Sequence, residues 1–295
     1  MERDHQSAYD AEVTSMCERT LVTLIGDIGP WSQRIYLVGG LAPRYIVGAL
    51  PRGVSPHVGT ADVDLVIGLA IDDDAPETYS TLQANLKKSG FVPGEHSFQW
   101  ARQVGATTVK VEFLCETDQV AAGSIFRPKA GTGSKIGAFN AEGAQLVTRD
   151  YLEQSIEAER LDQGGLSRVS LRVANVLSFI VLKIFAFQDR HDNKDSYDLV
   201  FTLLNYEGGP AAAAAIAGES EIIHEQQVDK ALRLVAERFG SPSHDGPNAY
   251  ANFLVTLNNE TTKAQLRNEA VAVVQQFLTA LGVEQQTSAD PRHAG

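Results

Sequence analysis

The chain has 295 residues, 43% of them hydrophobic, which is enough for a large core and too much for a disordered or fibrous chain. Its formal net charge of −12 repels nucleic acid overall, so any nucleic-acid role needs a local basic patch. The two cysteines, Cys17 and Cys115, have no metal-type spacing and exclude a disulfide framework. With no secretory-type start and no long apolar run, a cytoplasmic protein without a membrane span is the expectation.

Apolar residues at helical spacing (Val13, Met16, Cys17, Leu21, Leu24) predict an amphipathic helix over Ser7 to Ile25. "RIYLVGG", Arg34 to Gly40, reads as a short strand running into paired glycines, and "LAPRYIVGAL" resumes as a short helix. A Pro/Gly/Ser/His loop, Pro51 to Gly59, leads to a strand in "GTADVDLVIG", Gly59 to Gly68. Thr78 to Ser89 reads as a helix. "TTVKVEFLCET", Thr107 to Thr117, alternates, with Val109, Val111 and Phe113 on one side and Lys110, Glu112 and Leu114 on the other. Ala121 to Gly143 shows turns without a period. From Arg168 the pattern predicts one long helix through "LSRVSLRVANVLSFIVLKIFAF", with Ser167 as its cap. After the polar "DRHDNKD", helices are expected in "SYDLVFTLLNY" and near Ala211–Gly218, Glu221–Phe239, Ala249–Leu257 and Thr262–Leu281. The class is therefore α+β: a mixed-sheet lobe over 1–150, an all-helical lobe over 151–283, and a disordered tail over 284–295.

Asp62 and Asp64 lie two apart on a strand, so they share a face, and burying either unpaired costs several kcal/mol. If the strand bearing Glu112 is a neighbour, three carboxylates converge there. Mg²⁺ is the natural counter-ion, since it takes one or two carboxylates plus phosphate oxygens and waters. A pair of such ions would suit in-line phosphoryl displacement. Gly39 and Gly40 would let backbone N–H groups approach a phosphate chain, with the positive end of the following helix beside them. The alternatives are a solvated edge strand after an ordinary turn, and Glu112 on a wet face beside Lys110. Lys183 is the only charge between Arg172 and Asp189, and it either snorkels to the surface or meets an anion. Helical spacing aligns Arg172, Phe179, Lys183, Phe187 and Arg190 as a rough basic stripe. Asp195 and Asp198 share a face in a first helical turn, where acids complement the macrodipole. His191–Asp192 receives no role, and His5, His57, His96, His224, His244 and His293 show no ligand spacing.

"LVGGLAPRYIVG" followed by "VGTADVDLVIG" resembles the signature of the nucleotidyltransferase superfamily with its polymerase-β-like fold. "LKIFAFQDRHDNKDSYDL" resembles the later motif of that superfamily's AbiEii/AbiGii toxin branch, a helical Lys before a Lys/Arg-Asp-x-x-Asp-Leu segment. The resemblance spans roughly Leu37 to Leu199. It implies that Gly39 and Gly40 hold the triphosphate, that Asp62, Asp64 and Glu112 bind Mg²⁺, and that Lys183 contacts the phosphates. Asp198 would orient the site from the helical lobe, with Asp195 second in that role. Leu41 and Ala42 stand where the family often has Thr or Ser after the glycines, and the third acid is Glu where Asp is commoner. The activity implied is transfer of NMP from an NTP to an acceptor with release of pyrophosphate, in a toxin of a toxin–antitoxin or phage-defence system. A tRNA or other RNA would be the acceptor, held by Arg172, Lys183, Arg190 and Lys194, and an antitoxin protein the partner. The competing readings are a small-molecule nucleotidyltransferase of the antibiotic-modifying kind and a non-catalytic nucleotide-binding regulatory protein.

Overall fold

β-branched runs bounded by Gly, Pro and polar turns build the centre of the molecule. The structure is a computed structural model that describes residues 11–60, 62–67, 76–127, 135–161, 165–257 and 262–283. Along the chain come α1 (Ala11–Asp27), β1 (Ile35–Val38), a one-turn α2 (Pro43–Ile46), β2 (Asp62–Ile67) and α3 (Pro76–Lys88). Next are β3 (Val92–Pro93), β4 (Gln99–Val104), β5 (Thr107–Cys115), β6 (Ile125–Phe126), β7 (Ala138–Asn140), β8 (Tyr151–Glu159) and β9 (Leu166–Ala174). The chain then turns helical: α4 (Val176–Arg190), α5 (Asn193–Asn205), α6 (Gly209–Gly218), α7 (Gln226–Arg238), α8 (Asp245–Leu257) and α9 (Lys263–Ala280).

The strands form one mixed sheet in the order β3-β4-β5-β2-β1-β9-β8, with β7 beside β5 and β6 beside β7. β2 runs antiparallel to β1 and parallel to β5, and a parallel partner requires a crossover, here made by α3. α1 packs against β2, β5, β8 and β9. Its Cys17, Leu21 and Leu24, one stripe at i, i+4 and i+7, are fully buried, as are Val63, Leu65, Val111 and Phe113 of the sheet. The α1 stripe and the alternation in β5 therefore match the sequence reading. Residues 7–10, where α1 was expected to begin, and the tail 284–295 lie outside the described residues.

One stretch differs. The expected long helix from Arg168 is a strand, Leu166–Ala174, followed by a helix that begins at Val176. "LSRVSLRVA" alternates with period two, and it pairs with Tyr151–Glu159 over its whole length. Oppositely charged residues face each other there, Glu157 with Arg168 and Glu153 with Arg172. The cap is Asn175, whose side-chain oxygen accepts from the Val176 N–H at 2.8 Å, and not Ser167. Tyr151–Glu159 and Leu166–Ala174 thus extend the sheet, and the all-helical part begins at Val176 rather than at 151. Arg172 consequently leaves the helical basic stripe. Its guanidinium lies over the rings of Tyr36 and Tyr151, at 5.7 and 5.1 Å from their centroids.

α4 is apolar nearly all round because it is packed between the sheet and α5, α6 and α7. Its start is anchored by Asp150, which is only 4% exposed. The Asp150 carboxylate accepts from the Ser178 N–H at 2.8 Å, the Asn175 amide at 3.1 Å and the Ser220 hydroxyl at 2.8 Å. Asp150→Ala removes these charge-assisted bonds and uncovers the helix end. It is expected to cost about 2–4 kcal/mol, read as a lower urea midpoint with an unchanged slope.

Candidate active site

β2 presents Asp62 and Asp64 to one side while Val63 and Leu65 are fully buried on the other. This is the shared face that their spacing requires. Asp64 sits opposite Val38 of β1 and Glu112 of β5, whereas Asp62 sits opposite Lys110. Asp64 and Glu112 are therefore side by side on neighbouring strands, and both line a cavity of about 670 Å³ between the sheet and α4. Gln99 fixes Glu112 by donating to it at 2.8 Å. Burial and the charge of Glu112 push the Asp64 carboxyl up to about 7, with Lys183 opposing. Among the described residues no set of three His, Cys, Asp or Glu groups converges as a metal cage. The expected trio is in this geometry a pair, Asp64 with Glu112, and Asp62 stands one step away on the same face.

The glycines have a steric reason of their own. Gly39 has φ +67°, and a Cβ there would stand 1.9 Å from the Asp64 Oδ2. A Cβ on Gly40 would stand 2.4 Å from the Lys194 Nζ. Each glycine clears room for a charged side chain to lie on the backbone. Gly39 lines the cavity, while Gly40 is buried behind it. The helix after them spans only Pro43–Ile46, so the expected contribution from a helix end shrinks to a single turn.

Facing this pair is a second charge cluster, built by the tight α4–α5 junction. His191, at φ +51°, ends α4, and Asp192 caps α5 by accepting from the Lys194 N–H. α5 thus folds back beside the last turns of α4. The Lys183 Nζ lies 2.6 Å from Asp198 and 3.1 Å from Asp195. Arg190 grips Asp195 with two bonds of 2.7 Å, and Lys194 holds both oxygens of Asp198 at 2.8 and 2.9 Å. Lys183 therefore meets anions rather than snorkelling. Asp195 and Asp198, 1% and 0% exposed, are buried counter-ions rather than solvated helix-end acids. Lys183 and Arg190 also line the cavity.

The electrostatics follow from these contacts. Burial alone would raise the Asp198 pKa, but Lys183, Lys194 and the His57 bond drive it well below the ordinary carboxylate range. Asp195 is likewise held low by Lys183 and Arg190 against its burial. Burial lowers both lysines. Lys183 ends above the usual amine range because Asp198 and Asp195 both hold it, whereas Lys194, which leans chiefly on Asp198, ends below.

His57, set aside in the sequence, is part of this cluster. Its Nε2 lies 2.9 Å from the Asp198 Oδ1, and its Nδ1 accepts from the Gly59 N–H at 3.0 Å. That acceptor role puts the proton on Nε2, so a neutral imidazole donates to Asp198. Burial lowers its pKa to about 4 against the pull of Asp198. Nothing in local spacing could reveal a partner 141 residues away.

Two outcomes test this geometry. The Asp64 pKa rises from 3.8 to about 7 on folding, so the unfolded chain loses that proton first, and stability falls between about pH 4 and pH 7. Asp64→Asn removes this loss. It should match the parent near pH 4 and exceed it by on the order of 2–4 kcal/mol at pH 8 in urea titrations. Gly39→Ala meets both a left-handed backbone and the Asp64 carboxylate, and should cost at least about 2 kcal/mol. Gly40→Ala keeps an ordinary backbone but pushes the Lys194 amine off Asp198 and crowds Thr60 at 3.1 Å, so it should cost stability too, though less than Gly39→Ala, as thermal unfolding of the two variants will show.

No protein-family model matches the chain, and no curated protein is significantly similar to it.

Proposed function

We propose that the chain is a Mg²⁺-dependent nucleotidyltransferase that moves NMP from an NTP to an acceptor and releases pyrophosphate. The observation that carries this reading is the pairing of Asp64 with Glu112 across β2 and β5, with Lys183 and Arg190 lining the same cavity and the Gly39 backbone against Asp64. The order Gly-Gly, Asp-x-Asp, Lys, Asp-x-x-Asp along the chain supports it through the family resemblance.

The donor set fits a hard cation. Two adjacent carboxylates are what Mg²⁺ takes from a protein when substrate phosphates and water complete its shell. Burial first and the Glu112 charge second raise the Asp64 pKa, and a cation beside the pair would oppose both. Asp64 and Glu112 would hold the ion, with Asp62 next to them. When bound, it would offset charge on the phosphates and on the leaving oxygens. Gly39, without a side chain, lets a phosphate approach the turn. Lys183 and Arg190 place positive charge where negative charge grows during transfer, already fixed by Asp195 and Asp198. Asp198 would orient the site from the helical lobe through its contact with Lys183.

The resemblance points to an RNA acceptor and to a toxin with a cognate antitoxin. Two observations favour a second reading, a small cationic acceptor. Asp64, Glu112, Glu142 and Asp189 outnumber Lys183 and Arg190 around the cavity. In addition, Lys183 and Lys194, two of the residues expected to hold RNA, are tied to Asp198 with side chains only 7% and 12% exposed.

Each α-labelled NTP, with Mg²⁺ and either total RNA or a panel of small polycations, separates these readings. Label should appear in an acceptor with the parent and fall at least about 10³-fold with Asp64→Asn. Label in RNA supports the toxin reading, and label in a polycation supports the second. NTP binding without transfer to either class overturns the enzyme and leaves a nucleotide-binding regulator.

A further inference from the structure

The sheet ends differently on its two sides. In the order β3-β4-β5-β2-β1-β9-β8 the outer strands are β3 and β8. β3 is two residues long and ends in Pro93, which has no N–H to offer a neighbour. Shortness and proline are how a sheet edge is usually closed to other strands. β8, Tyr151–Glu159, has neither: it runs for nine residues without a glycine or proline, a length of about 30 Å. Its residues pair one to one with Leu166–Ala174, so no bulge interrupts it. Among the described residues, its backbone makes one bond beyond those to β9, from the Arg19 Nε to the Glu159 carbonyl at 3.3 Å.

α1 packs against β8, and Ile156 is buried on that side. The other face carries Glu153, Ser155, Glu157 and Glu159 at every second position. Glu153 and Glu157 pair with Arg172 and Arg168 of β9 at 3.6 and 2.7 Å, yet their side chains remain 64% and 41% exposed. Glu159 is 66% exposed. Charge thus alternates outward across the sheet, Arg on β9 and Glu on β8, and a cation on the next strand continues each row. Like charges directly opposite repel. A second copy of β8 in full-length antiparallel register would set Glu153 against Glu157 at two places. The edge therefore disfavours itself and favours a basic strand.

We propose that β8 is a docking edge for an extended basic segment of another protein, with Lys or Arg at alternate positions, which adds a strand to the sheet. Main-chain bonds supply the affinity, and the glutamates select the partner and its register. The proposal is independent of the transferase reading, since no residue of β8 lines the cavity.

The full chain is titrated with a synthetic ten-residue peptide of alternating Lys and Thr. Two controls are its Glu–Thr counterpart and a Lys–Pro version, which has the same charge but cannot pair as a strand. Peptide anisotropy gives affinity, and amide hydrogen exchange is followed along 151–159. In the free chain the outward amides of β8 should exchange fast, and the Lys–Thr peptide should slow them at least about tenfold. Glu153→Gln combined with Glu157→Gln, its fold checked by thermal unfolding, should weaken that peptide about three- to tenfold. Outward amides already protected in the free chain show an edge that is occupied, by this chain or a second copy, and overturn the proposal. So does equal binding of the Lys–Pro peptide, which reduces the effect to charge attraction. Equal binding of the Glu–Thr peptide, binding of Lys–Thr without protection of β8, or no binding at all also overturns it. These readouts on the parent chain decide the matter even where the double variant fails to fold.

Discussion

The helical half of the site depends on one buried anion. Asp198 has no exposed surface, yet it sits in a chain whose acids outnumber its bases, 37 Asp and Glu to 25 Lys and Arg. Such a group is tolerated only when every lone pair is occupied, and Lys183, Lys194 and His57 occupy them. These three partners come from α4, from α5 itself and from the loop before β2. One carboxylate thereby ties the helical part of the molecule to the strand that bears Asp62 and Asp64. The loop reinforces the tie: the His57 ring stacks at 5.0 Å on Tyr197, and the Val58 N–H donates to the Tyr197 hydroxyl.

The same tie explains the paired glycines. With α5 fixed by Asp198, Lys194 has to cross the turn after β1, and only a residue without a Cβ leaves that path open at Gly40. Gly39 solves the matching problem for Asp64. The turn is thus shaped from both sides by charged groups, with Gly39 at the cavity wall.

What could be read from the sequence divides along physical lines. Asp62 and Asp64 were legible because strand alternation is local: Val63 and Leu65 fix which way the acids point. The neighbourhood of Asp64 and Glu112 was conditional on strand order, which no local pattern encodes, and the parallel β2–β5 pairing supplies it. Leu166–Ala174 was misread because its alternating apolar residues lead into the apolar α4 with no Gly or Pro between them. The one punctuation mark is Asn175, a cap rather than a breaker. Asp195 and Asp198 look like ordinary first-turn acids until burial is known, and burial comes from α8 and the loop near His57 closing over α5. His57 was invisible for the same reason, since its role is set entirely by a distant contact.

Lys183 has a single positive charge and two claims on it. Inside the protein it is the counter-ion of Asp195 and Asp198, and toward the cavity it is available to whatever anion arrives. Any anion entering the cavity would therefore compete for an amine already in use, and its attraction would be drawn from the grip between α4 and α5. Filling the cavity with an anion would then loosen that helix junction, and a firm junction would resist the filling.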